Sequence, residues 1–139
     1  MSVPSGGRGV SQSPIRRPIS DAVPGVSPVT TLIWIPASLN AVVHCHCPYL
    51  TAYALRHQDF IVPENCSLHA VFRRFVCLPY GKNGTHEIHR GIETALSDSP
   101  VCLLGGHGVV CVSNSMESCI GLLEAAEGLA KTLWLAGQI

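Results

Sequence analysis

Ala41-Val42-Val43-His44-Cys45-His46-Cys47-Pro48-Tyr49 is an apolar run that ends in alternating histidine and cysteine and then meets a proline. The pattern predicts a β-strand over residues 41–47. Successive strand side chains leave on opposite faces, so His44 and His46 share one face and Cys45 and Cys47 the other. Pro48 suits the first position of a helix, where an N–H would have no intrahelical partner. That helix is expected to run to about Arg56, with Leu50, Tyr53 and Ala54 inward. Two imidazoles two residues apart on a rigid strand aim at a common point, as part of a metal site does. A third ligand has to come from elsewhere. The candidate is His107 in Leu104-Gly105-Gly106-His107-Gly108, where flanking glycines admit close approach of the backbone.

Outward from this stretch the chain changes texture. Residues 1–28 are rich in Ser, Pro and Gly without apolar periodicity, and are expected to form a disordered arm preceding a domain over 29–139. Arg8, Arg16 and Arg17 against Asp21 give that arm a trace of transit-peptide composition, but its prolines break any amphipathic helix. Leu32 to Ile35 is a short apolar segment stopped by Pro36. Phe60-Ile61-Val62 and Val71 to Leu78 are strand candidates, the second expected to pair in the main sheet.

Pro79-Tyr80-Gly81-Lys82-Asn83-Gly84 is a loop. Thr85 is a plausible N-cap for one helix with Ile88, Ile92, Ala95 and Leu96 on a stripe. Val101–Leu104 and Val109–Val112 are strands flanking the Gly-Gly-His-Gly turn. Asn114 with Glu117 predicts the cap of a last helix reaching about Ala136. Its expected apolar face is Ile120, Leu123, Ala126, Ala130 and Leu133, with Glu127 and Lys131 paired outside. This order of elements predicts an α/β fold, in three α/β/α layers around a mixed, largely antiparallel sheet.

Composition narrows the function classes. With 139 residues the chain makes one domain with a real core. Apolar residues make up 47% and charged ones 13%, which points to surface buried against a partner, most simply a homo-oligomer. Nine basic residues balance nine acidic ones, and Arg16-Arg17 and Arg73-Arg74 are the only basic doublets, so no nucleic acid is expected. No apolar run approaches the roughly 20 residues of a membrane span. The N-terminal residues lack the apolar core of a secretion signal, and seven cysteines form an odd set without framework spacing. Both features predict a cytoplasmic protein with reduced thiols, and the Asn65-Cys66-Ser67 and Asn83-Gly84-Thr85 sequons then carry no glycan.

Cys45 and Cys47 compete with the histidines as ligands, and a closed Cys–His cluster would be a structural zinc site. It would need two more soft ligands, whereas Cys77, Cys102 and Cys111 lie in apolar strands where buried cysteine is ordinary. Three histidines with an open fourth position are the favoured set, which is the arrangement of a catalytic metal.

Three segments in order resemble the class II aldolase/adducin family. His44-Cys45-His46-Cys47-Pro48-Tyr49-Leu50-Thr51-Ala52 resembles its His-x-His-x-x-x-x-Thr-Ala segment. Pro79-Tyr80-Gly81 through Gly84-Thr85 resembles its Pro-Tyr-x-x-x-Gly-Thr turn, and Leu103-Leu104-Gly105-Gly106-His107-Gly108-Val109 its Leu-Leu-x-x-His-Gly-Leu segment. Glu124, Glu127, Leu129, Ala130 and Lys131 sit in a helix resembling the one that closes the family's domain. The resemblance covers about residues 28–139. It implies Zn2+ or another divalent ion on His44, His46 and His107, an α/β/α fold, and a homo-oligomer, usually a tetramer. The implied activity is that of a metal-dependent aldolase-type lyase acting on a small sugar phosphate. Fixed positive charge would meet the negative charge that develops as the carbon–carbon bond breaks.

The chain departs from that pattern at its start and reads as an N-terminally truncated member. The family's Gly-Asn-x-Ser phosphate loop, second Ser/Thr-Gly contact and Ser-Ser-Glu segment have no clear counterparts. The acid/base glutamate would fall near Pro24 or Gly25, where no carboxylate stands. The family's tyrosine has no counterpart near Asn65 to Ser67. The catalytic residue is therefore unassigned, with Glu64 and His69 as outside candidates for proton transfer and Lys82 and Arg90 for a phosphate. His86 and His89 are read as solvated, and His57 as lying at a helix end. Three functions follow: an aldolase-type lyase, a non-catalytic adducin-like scaffold, and a structural Cys/His zinc module.

Overall fold

The computed structural model describes residues 15–19, 31–35 and 39–137. In chain order the elements are β1 (Ile15–Ile19), β2 (Thr31–Ile35), β3 (Ala41–Cys45), α1 (Pro48–Ala54), β4 (Phe60–Ile61), β5 (Arg74–Phe75), β6 (Cys77–Leu78), α2 (Ile92–Asp98), β7 (Val101–Leu104), β8 (Gly108–Ser113) and α3 (Met116–Leu135). The arm expected over 1–28 lies outside the described residues except for β1, which pairs antiparallel with β2. None of the described helices is long and apolar enough to cross a membrane.

The main sheet has the order β3-β8-β7-β6. β3–β8 and β8–β7 are antiparallel and β7–β6 is parallel, so the sheet is mixed and largely antiparallel, as expected. Strand alternation sorts its residues onto two faces. Val101, Leu103, Val109 and Cys111 join a core with Leu50 and Ala54 of α1 and Cys119, Leu123 and Ala126 of α3. Cys102, Leu104 and Val110 pack with Ile92 and Ala95 of α2 on the other side. Helices therefore cover both faces, and the three-layer α/β/α architecture is confirmed.

Several local expectations are corrected. Val71 to Leu78 does not enter the main sheet as one strand. Arg74–Phe75 pairs with Phe60–Ile61 in a separate ribbon, where Phe75 stacks on Phe60 at 5.1 Å between ring centroids. Only Cys77–Leu78 joins β7. Asp59 makes the switch between the two, because its Oδ1 accepts from the Cys77 N–H at 2.8 Å. Arg74 of the basic doublet is spent on Asp98, with Nε donating to Oδ2 at 2.7 Å.

The single helix expected from Thr85 is two pieces. A 3₁₀ turn over His86–His89 is capped by the Thr85 hydroxyl, then Gly91 at φ +88° turns the chain before α2 begins. A left-handed residue cannot continue a right-handed helix.

The cap of α3 is Ser115, whose hydroxyl accepts from the Ser118 N–H, and not Asn114. On its face Cys119 is buried in place of Ile120, which is exposed.

Glu127 does not pair outward with Lys131 in the way expected. Its two carboxylate oxygens accept from the N–H groups of Tyr49 and Leu50 at 2.8 and 2.9 Å. The physical need is at α1: Pro48 has no N–H and Cys47 offers no side-chain cap, so the first free N–H groups take an acceptor from the packed helix. Lys131 instead lies 5.9 Å over the Tyr49 ring. Glu127→Ala leaves two part-buried donors unpaired and is expected to cost about 1–3 kcal/mol, with Glu127→Gln recovering part of it, read as urea midpoints.

Candidate metal centre

His44 stands near the end of the edge strand β3, opposite Val110 of β8. The strand ends at Cys45, two residues short of the expected end, and His46 occupies the link into α1. His107 sits in the turn between β7 and β8, closed by its own N–H donating to the Leu104 carbonyl at 2.9 Å. The alternation expected from sequence survives the shorter strand. The two histidines lie together on one side, and the Cys45 and Cys47 sulfurs meet at 3.3 Å, packed against the core with α1 and α3.

Gly108 explains why the two sides of the centre can meet. A Cβ there would lie 2.6 Å from His46 Cδ2, 2.7 Å from the Cys45 carbonyl oxygen and 3.3 Å from His44 Cε1. The imidazoles thus lie over the bare backbone at the start of β8, within reach of His107 just before it.

The three Nε2 atoms converge. His44 and His46 are 3.2 Å apart, His46 and His107 3.2 Å, and His44 and His107 3.0 Å. Nitrogens at about 2.0–2.1 Å from a tetrahedral zinc ion are separated by about 3.3 Å, so the triangle is near the size such an ion requires.

The outer hydrogen bonds set the donor set. His44 Nδ1 lies 2.9 Å from the Val109 carbonyl oxygen, which can only accept, so Nδ1 carries the proton. His107 Nδ1 lies 3.0 Å from Asn83 Oδ1, with the same consequence. In the neutral rings the Nε2 lone pairs then face inward. Burial, followed by the nearness of His44 and His46, lowers the pKa of His107 below its ordinary 6.5 and favours that neutral form. Converging lone pairs repel unless a proton or a cation lies between them. These residues can hold a divalent metal ion, and since His44 and His46 are exposed, the outer side of the triangle is open.

Among the described residues the cluster consists of these three histidines, without His57, Glu64 or His69. Glu64 is exposed, and His69 is half-buried in the 3₁₀ turn Ser67–Ala70. His57 follows the end of α1 as expected, at φ +54°, with its ring beside Gly105 and Gly106. His86 is exposed, but His89 is half-buried rather than solvated: its Nδ1 has no hydrogen-bond partner, and burial lowers its pKa. Lys82 and Arg90 are exposed, Lys82 on the same turn as Asn83.

The thiols behave as core groups. Burial, then the neighbouring Cys45, pushes Cys47 up to about 12, and burial puts Cys102 at about 12. The Cys45 and Cys47 side chains pack against the core, on the side away from the three imidazoles. Sequence reasoning missed Asn83, reading it only as part of a loop. The available signal was its place in the turn of the Pro-Tyr-x-x-x-Gly-Thr segment, one of three segments that could converge.

Residues 36–134 match the family model of the Class II Aldolase and Adducin N-terminal domain. The L-fuculose phosphate aldolase of Escherichia coli (strain K12) is 28% identical over 92 residues, 66% of this chain and 43% of that protein. The 5-methylthioribulose-1-phosphate/5-deoxyribulose-1-phosphate aldolase of Escherichia coli O45:K1 (strain S88 / ExPEC) is 27% identical over 100 residues, 72% of this chain and 41% of that protein. The chain spans less than half the length of these curated relatives.

A solved L-fuculose 1-phosphate aldolase matches with a TM-score of 0.65 at 24% identity, covering 73% of this chain and 47% of that one. The L-fuculose-1-phosphate aldolase of Thermus thermophilus matches with a TM-score of 0.58 at 21% identity, covering 73% and 55%. At these identities the structural likeness speaks for the fold, and the sequence match speaks for descent. Since the matched segment runs from before β3 into α3 and includes all three histidines, the chain belongs to the class II aldolase and adducin family.

Proposed function

We propose that this chain is a divalent-metal-dependent lyase of the aldolase type acting on a small sugar phosphate, with His44, His46 and His107 as ligands and zinc as the ion. The observation that carries the reading is the inward convergence of three Nε2 atoms at 3.0–3.2 Å. Family membership and the sugar-phosphate aldolases among the relatives support the reaction and substrate class. When bound, the ion supplies Lewis-acid stabilisation of the negative charge that develops on substrate oxygens. The protein's part is to hold three neutral nitrogens in place, two of them through Nδ1–H bonds to Val109 and Asn83, and to keep the outer side open.

Homo-oligomeric assembly belongs to the same proposal. Exposed Leu55, Ile61, Trp134 and Leu135 are apolar surface of the kind that assembly covers. A cytosolic setting belongs to it as well, in keeping with free thiols at all seven cysteines.

A second reading, a metal-binding adducin-like scaffold without turnover, is favoured by one observation. Among the described residues no carboxylate joins the histidines, and general acid–base help is typically worth about 10²–10⁴-fold. A retro-aldol assay of the zinc-loaded chain on L-fuculose 1-phosphate and 5-deoxyribulose 1-phosphate decides between the two. Aldehyde release that disappears on chelation and in His107→Ala is the expected result. Full metal content without release would favour the scaffold instead.

A further inference from the structure

We propose that Asn83 is a positioning residue of the three-histidine centre, its amide oxygen holding the His107 ring so that Nε2 faces inward. The proposal rests on the metal-centre reading above and assigns one of its parts.

The contact is direct, with His107 Nδ1 3.0 Å from Asn83 Oδ1. The amide is delivered by a pinned turn. The Thr85 N–H and the Thr85 hydroxyl both donate to the Lys82 carbonyl oxygen, at 3.1 and 2.7 Å, and Gly84 takes φ +79° between them. Asn83 therefore stands at the crest of a closed β-turn, with a short side chain of few rotamers aimed at the histidine.

The two outer bonds of the centre differ in kind. His44 donates to a backbone carbonyl, which no substitution removes. His107 donates to a side chain, and that makes it the ligand whose orientation one mutation can release. An acceptor at this place fixes the Nδ1–H tautomer and increases the basicity of Nε2. Were the group a donor, Nδ1 would have to accept, and Nε2–H would point at His44 and His46, where it would block an ion.

The test uses zinc titrated into the full chain against a competing chelator, together with ¹⁵N spectra of the histidine tautomers. Asn83 is exposed, so substitutions there leave the fold intact, checked by the urea midpoint of the metal-free protein. Asn83→Ala is expected to weaken zinc binding about 10–100-fold and to lose the single Nδ1–H signature of His107. Asn83→Asp, which can only accept, is expected to restore both. Wild-type affinity in Asn83→Ala, or equal loss in Asn83→Ala and Asn83→Asp, overturns the positioning role while leaving the metal centre standing. No zinc uptake by the wild-type chain, or full uptake by His107→Ala, overturns the metal-centre reading and this role with it.

Discussion

His107→Ala is expected to abolish metal uptake at the proposed centre, with content falling from about one ion per chain to near none and affinity falling by more than the roughly 100-fold typical of losing an outer partner. The reason is geometric. His44 and His46 lie two residues apart, at the end of β3 and in the link that follows it, whereas His107 closes the triangle from the turn between β7 and β8, 3.0 and 3.2 Å from their Nε2 atoms. Without it two imidazoles remain, and water supplies the rest of the shell.

The metal-free variant should fold almost as well as the parent, since the substitution forfeits one side-chain hydrogen bond worth about 0.5–1.5 kcal/mol. The difference should appear with metal present, where an ion at 100 times its dissociation constant stabilises the parent by about 2.7 kcal/mol and the variant not at all. Metal analysis and thermal unfolding with and without zinc read both quantities. Cys45→Ser is the control: it should keep the ion, and the opposite pattern, metal lost with the cysteine and kept without the histidine, would show that the ligands lie on the other side of β3.

Gly108→Ala should damage stability and the centre together. The added methyl group would lie 2.7 Å from the Cys45 carbonyl oxygen and 2.6 Å from His46 Cδ2. The carbonyl belongs to β3 and cannot swing aside, so either β3 parts from β8 or the His46 ring leaves its place. Forced overpacking of this kind costs about 1–3 kcal/mol, and zinc affinity should fall with it.

Gly128→Ala makes the same chemical change where nothing lies within 4 Å of the new atom, in the interior of α3. It should stabilise the protein by about 0.5–1 kcal/mol, because alanine favours the helix. Opposite signs for one added methyl group would place the cost at Gly108 in the crowding beneath the histidines. A Gly108→Ala variant that binds zinc as the parent does would refute that packing.

Much of this centre was legible without coordinates because its cause is local. The period of two in a strand separates His44 and His46 from Cys45 and Cys47 wherever the strand goes, and a helix opened by Pro48 follows it directly. The unbroken apolar runs Val101–Leu104 and Val109–Val112 likewise required cover on both faces, which α2 on one side and α1 with α3 on the other provide. His107 stood out because glycines on both sides leave a histidine no packing reason to be there.

What the chain's own order could not reveal depends on partners far away in sequence. Glu127 has the spacing of a surface ion pair with Lys131, and only the packing of α3 beside the uncapped start of α1 turns it to Tyr49 and Leu50. Asn83 looks like any turn residue until β7 and β8 bring His107 to within 3.0 Å of its amide. Val71 to Leu78 has the apolar content of one strand, and Asp59 together with the stacked Phe60 and Phe75 divides it between two sheets. By itself, then, the sequence determined the main-sheet strands, the helices that cover them and the three histidines that converge, since periodicity and turn chemistry act over a few neighbours. Only the tertiary structure decided which polar groups serve those ligands and helices, because a donor's acceptor is whatever group the fold brings within about 3 Å.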